Sequence, residues 1–263
     1  GIHLNWPSTH HRHRKDGTID IRKRKTYDQQ FREIQHFFEE AQAYAAQERR
    51  PATSPRDLRM EAMRGIFDGS LRLFVHAQDV RQITESVHFK RQMGIENLVI
   101  VGGYDAPLVA DLLRENKVPV MLKRVHTLPR FAEDDVDLPY RLPKLLEDEG
   151  VLYCLQNAGD MEHMGTRNLP FYAGTAHAYG LTYEQAVKSI TLSAARILGV
   201  DAFCGSLETG KDATLFISDG DALDMRTNYL TEAFIQGRSI DLDNRQRQLY
   251  RKYQTKYGAP ILD

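Results

Sequence analysis

Cysteine is nearly absent: Cys154 and Cys204 are the only two in 263 residues. That excludes a disulfide-stapled scaffold, and Cys154, inside an apolar run with no evident activating cation, reads as a buried reduced thiol rather than a nucleophile. Long apolar runs are missing too. With no stretch of 18 such residues, nothing here reads as a membrane-spanning helix. Charge of one sign is also lacking. Lys and Arg number 35 against 36 Asp and Glu, so the net charge of −1 gives no global field to attract nucleic acid or an anionic membrane, and neither is expected as a partner. The chain opens on "GIHLNWP", with neither a methionine nor the charged-then-apolar pattern of a signal peptide. The expectation is that more of the same polypeptide precedes Gly1 and partners this stretch. Any targeting segment would lie there, which leaves the compartment open between cytoplasm and periplasm.

What is present is enough apolar mass, 41% of residues, to bury a core in one α/β domain or in one large domain with a small appendage. "GIHLNW" alternates like a strand up to Pro7. The polar stretch after it carries seven Lys or Arg against two Asp between residues 12 and 25. Its plain reading is a long solvated loop; a polyanion patch or a metal-binding tract at His10, His11 and His13 is the alternative. No aromatic residue interleaves with those charges to stack on bases.

Apolar residues then recur at three and four from Asp28 to Glu48, "RPATSP" breaks the pattern, and a second helix is expected from Arg56 to Phe67. A rhythm follows. "LRLFV" at 71–75, "NLVIV" at 97–101, "VPVML" at 118–122 and "VLYCL" at 151–155 are short apolar runs separated by helical patterns. Strands buried on both faces and joined by crossover helices make a parallel sheet, open or closed. Beyond Leu155 the pattern is helix upon helix, with Thr182 as an N-cap. Past Gly205, "DATLFI" and "LTEAFIQGRSI" read as a small β element, and 243–256 as a polar, helical tail.

The stretch "SITLSAARILGVDAFCGSLETGKDATLFISDGDALD", 189–224, resembles the C-terminal signature of the amidohydrolase superfamily, in particular its imidazolonepropionase-like branch. It carries Thr-x-x-x-Ala-x-x-Leu-Gly at 191–199 and Gly-Ser-x-x-x-Gly-Lys-x-Ala at 205–213. The resemblance implies an α/β fold: part of a (β/α)8 TIM-type barrel over 1–204, in the roles of strands four to eight, then a share of a small β-sandwich over 205–242 and a tail over 243–263. It also implies an active site at the C-terminal ends of the strands, where divalent metal, zinc first, activates water. The ligands of such a site are a His-x-His pair on strand one, a lysine or glutamate in mid-barrel, one histidine each on strands five and six, and an aspartate on strand eight.

Set against that pattern, His76 takes the strand-five metal-ligand position. The strand-six position falls on Gly102 and Gly103, where no ligand is available. Asn5 stands near the mid-barrel carboxylate position. The strand-eight aspartate position falls near Asn157 or Ala158, and Asp160 is the nearest carboxylate and the candidate catalytic base. Tyr104, His126 and His163 are the candidate substrate contacts. His11 and His13 form a His-x-His in a basic loop instead of at the end of an apolar strand, so they are not assigned to the metal. The resemblance implies metal-dependent hydrolysis of a non-peptide C–N bond, of the cyclic amide or amidine type, in a small-molecule substrate. The alternatives are a diverged barrel with a depleted metal site that binds or scaffolds, and polyanion binding through residues 10–25. A homo-oligomer is left open.

Overall fold

The computed structural model describes residues 1–8, 10–15, 18–47, 56–157 and 162–258, with the backbone alone described at 11–15, 18–23 and 162–163. β1 (Ile2–Asn5) opens the chain and is followed by a hairpin of β2 (His10–Lys15) and β3 (Thr18–Lys23). The expected solvated loop is therefore a two-stranded antiparallel ladder, with His11 opposite Arg22 and His13 opposite Asp20. Asp16-Gly17 is a two-residue hairpin signal in the sequence, and the density of charge around it had masked that signal.

α1 (Tyr27–Ala45) and α2 (Leu58–Phe67) lead into a repeating unit: β4 (Leu73–Ala77), α3 (Val80–Gln92), β5 (Leu98–Gly102), α4 (Ala110–Glu115), β6 (Val120–Leu122), α5 (Leu138–Asp148) and β7 (Tyr153–Leu155). The strands form one five-stranded sheet in the order β1-β4-β5-β6-β7. Every pairing in it is parallel. A five-stranded parallel sheet with helices between its strands agrees with part of a TIM-type barrel. Alternation along the strands divides the core in two. Leu73, Val75, Leu98, Ile100, Val120 and Leu122 turn outward into one large cluster with the helical residues Ile83, Val87, Leu113 and Leu146. Phe74, Val99, Val101 and Cys154 turn inward and meet Ile197.

α6 (Glu162–Gly165), α7 (Leu169–Ala178), α8 (Tyr183–Ile190) and α9 (Leu192–Leu198) follow. A reciprocal capping box starts α8, with the Thr182 hydroxyl accepting from the Gln185 N–H and the Gln185 side chain accepting from the Thr182 N–H. At Thr191 (φ −125°, ψ −93°) the helical path breaks, its hydroxyl donating back to the Val187 carbonyl, so α9 sets off in a new direction. Ile197 of α9 thereby reaches the inner face of the sheet. Gly205 closes the turn beyond it at φ +97°, where a Cβ would lie 2.6 Å from that of Ala195. β8 (Leu215–Ser218), β9 (Leu230–Ile235) and β10 (Arg238–Ser239) then make an antiparallel three-stranded sheet, and α10 (Arg245–Tyr257), capped by Asn244, ends the described chain. Among the described residues no second sheet packs on it to make the anticipated sandwich.

Candidate active site

Register across the inner face sets the geometry of the site. Asn5 pairs with His76, His76 with Val101, Val101 with Met121 and Met121 with Cys154, so one row runs straight across the five strands. His3, Phe74 and Val99 form the row beneath. Neighbouring strands lie about 4.8 Å apart, so Met121 and Cys154 are roughly 10 and 14 Å along the row from His76, too far to share an ion with it. Only Asn5 and Val101 flank it directly.

The side chain beside His76 is that of Val101, 6% exposed and apolar, and not that of Gly102. Gly102 is unable to carry a ligand: at φ +113° a Cβ would meet the Gln78 amide nitrogen at 2.2 Å. Gly103 turns the other way, where a Cβ would collide with Val120. Sequence reading missed His3. Its Nδ1 lies 2.9 Å from His76 Nε2, and its ring stacks on Phe74 with centroids 4.9 Å apart. The signal was in the alternation of "GIHLNW", which puts His3 and Asn5 on one face once the strand is given the strand-four role.

Several contacts fix β1 in this position. The Trp6 N–H donates to the His76 carbonyl, the buried Gln82 amide donates to the carbonyls of Trp6 and Pro7, and the Trp6 indole N–H donates to Glu85 at 3.3 Å. Burial lowers the pKa of His76, and the neighbouring His3 lowers it further by like-charge repulsion, so His76 favours the neutral imidazole.

Residues 83–243 match the Amidohydrolase family. The chain belongs to the amidohydrolase family. Amidohydrolase tasK of Hapsidospora irregularis is 23% identical over 172 residues, 64% of this chain and 17% of tasK. The crystal structure of an amidohydrolase from Thermotoga maritima MSB8 aligns with a TM-score of 0.67 at 26% identity, covering 80% of this chain and 53% of that one. A Xaa-Pro dipeptidase with methionine bound in its active site aligns at 0.51 and 17% identity over 66% of this chain and 46% of its own, a likeness of fold alone. This amidohydrolase chain thus spans about half the length of those two solved structures.

At the C-terminal ends of the amidohydrolase strands, a cleft of about 210 Å³ is lined by Gln78, Gly102, Tyr104, Lys123, Arg124 and Arg130. Tyr104 is buried in its wall, its hydroxyl donating to Asp134 at 2.7 Å and accepting from the Arg130 N–H. His126 lies past the end of β6, where its Nε2 is 2.6 Å from the Thr175 hydroxyl of α7 and its ring meets Tyr172 edge-on. Asp160 falls outside the described residues, and His163 belongs to α6, where only the backbone is described. Asn157 accepts from the Tyr172 hydroxyl.

Zinc–nitrogen bonds of about 2.0–2.1 Å at a tetrahedral angle set two ligand nitrogens roughly 3.3 Å apart, so the His3–His76 spacing accommodates an ion with a small adjustment. Among the described residues, however, no cluster of three His, Cys, Asp or Glu side chains forms around it or elsewhere. The residues present fit half of a coordination shell and not a whole one.

Proposed function

We propose that this chain is the C-terminal barrel share of an enzyme that hydrolyses a non-peptide C–N bond, in a cyclic amide or amidine, with a divalent cation, zinc first. The observation that carries this reading is His76 on the inner face, near the C-terminal end of its strand, with a second imidazole nitrogen 2.9 Å away. Since the chain alone fits half a shell, the remaining ligands are assigned to strands that the longer relatives possess.

The roles proposed for the residues of this chain follow from their places. His76 is a metal ligand. Asp160, following the strand-eight run, takes a proton from the attacking water. Lys123, Arg124 and Arg130 around the cleft favour a substrate that carries a carboxylate or another anionic group. Tyr104 shapes that cleft, while His126, in the loop after the strand in the seven role, and His163, in α6 after the strand in the eight role, contact the substrate. The decisive experiment follows turnover of a panel of lactams, cyclic amidines and a Xaa-Pro dipeptide by the full polypeptide, with and without chelator. Activity that disappears in chelator and falls by about two orders of magnitude or more in His76→Ala is expected. Activity indifferent to both would sink the proposal.

Val101 and Met121, apolar in the row beside His76, support a second reading, a diverged barrel that binds without catalysis. Full polypeptide that binds a panel member yet neither turns it over nor takes up metal would decide for it.

A further inference from the structure

We infer that the end of the sheet opposite the candidate active site holds a second ligand site, which takes a small organic phosphate. It lies at the N-terminal ends of the strands and is independent of the proposed hydrolysis. There the residues just before four strands, Arg72 before β4, Asn97 before β5, Pro119 before β6 and Leu152 before β7, converge with Arg196 and Ile197 of α9 around a cleft of about 350 Å³. That is larger than the cleft at the other end and falls in the range of small-molecule sites.

Charge in this cleft is one-sided. Arg72, Arg114, Lys117 and Arg196 line it, and no Asp or Glu does. Arg114 is already answered by the Asp111 carboxylate and the Glu149 carbonyl. Arg196 lies in the field of Glu208, whose carboxylate is also held by Ser206 and Lys211. Among the described residues no carboxylate pairs with Arg72 or Lys117. Arg72 is also held in place: its guanidinium packs so close on Gly199 that a Cβ there would lie 2.2 Å from Nη2. A guanidinium placed in advance loses little freedom on binding, and its fork matches phosphate oxygens two at a time. Between the cations the wall is apolar, with Leu98, Val99, Val118 and Ile197. An inorganic ion would use the cations alone, whereas an organic phosphate uses the wall as well. Concavity selects a small molecule over a nucleic acid, which is bound along an extended basic stripe.

The test follows the fluorescence of trinitrophenyl-ATP with the full polypeptide, in a background carrying Lys123→Ala and Arg130→Ala so that the cations of the other cleft compete less. One probe per chain is expected, displaced by ATP more readily than by pyrophosphate, with an affinity that falls as salt is added. Lys117→Glu and Arg196→Ala, both at exposed side chains, should each weaken binding about tenfold or more. Arg72→Ala should weaken it at least as much, and Arg72→Lys, which keeps the charge without the fork, should recover part of the loss. Circular dichroism checks that the fold is kept. Binding that Lys117→Glu, Arg196→Ala and Arg72→Ala all leave unchanged would overturn the inference, as would probe binding that is present in the natural chain and absent from the Lys123→Ala, Arg130→Ala background, or no binding at all. Displacement by citrate and by neither phosphate would overturn the choice of ligand.

Discussion

Cys154 shows how far neighbours decide the chemistry of one side chain. It occupies the same row as His76, yet burial among Val101, Met121 and Ile197 pushes its thiol up to about 12 and leaves it inert. Cys204, half-buried with its thiol donating to the Val200 carbonyl, has no such enclosure. At pH 8 a thiol reagent such as dithionitrobenzoate should therefore titrate one cysteine in the native chain and the second only after denaturation. Replacing Cys204 by Ser should abolish the native signal; a native signal that survives would contradict this account. The sequence showed the apolar run around Cys154 but not its place in the row. Likewise Val101 looked like ordinary strand filler until the register set it beside His76. A register shift by one residue exchanges the two faces of a strand, and no local pattern specifies register for a strand buried on both sides.

Among the elements, the helices were the more legible, because their ends carry their own signals. Thr182 and Gln185 are readable as a capping box from their spacing, and the structure has both halves of it. Thr182→Ala should cost about 1 kcal/mol, seen as a lower urea midpoint with an unchanged slope, since one N-terminal donor of α8 loses its acceptor. Thr182→Ser should recover most of that loss. The break between α8 and α9 was not legible, because nothing but the backbone angles at Thr191 separates two runs of good helix formers. The five parallel strands were found to within about two residues at each end, and His76 turned out to lie inside β4 with Ala77 after it. The basic hairpin was missed as an element because its charge outweighed its turn signal.

The assembled fold depends on how β1 and α1 are fastened to the rest. A single tryptophan does much of this: Trp6 is 4% exposed, edge-on to Phe31 of α1 and Phe89 of α3, with its N–H on Glu85. Tyr27 donates to the same carboxylate, and Arg81 pairs with it at 2.7 Å. Glu85→Ala would leave the Trp6 and Tyr27 donors without their acceptor and should cost about 1–3 kcal/mol. The Trp6 emission should shift to the red at the same time, a change that denaturation monitored by fluorescence would detect. Burial raises the Glu85 pKa, against a smaller opposing effect of the Trp6 hydrogen bond. The folded state thus holds that proton more tightly than the unfolded chain does. Stability should fall as the pH rises from about 4.5, the ordinary glutamate value, through the higher folded-state value, and then level off. Glu85→Gln should flatten that slope.

Composition, apolar rhythm and the Thr-to-Gly signature of residues 191–213 were sufficient for the class of fold, the order of its strands and the position of His76, because these rest on patterns close together in the chain. The partnership of His3 with His76 was not readable, nor was the place of Val101 beside His76 or the occupation of the space at Gly102 by Gln78. Each joins residues from different strands, His3 and His76 being 73 positions apart. Hydrophobic burial specifies which residues turn inward, but only the parallel pairing of whole strands determines which of them meet.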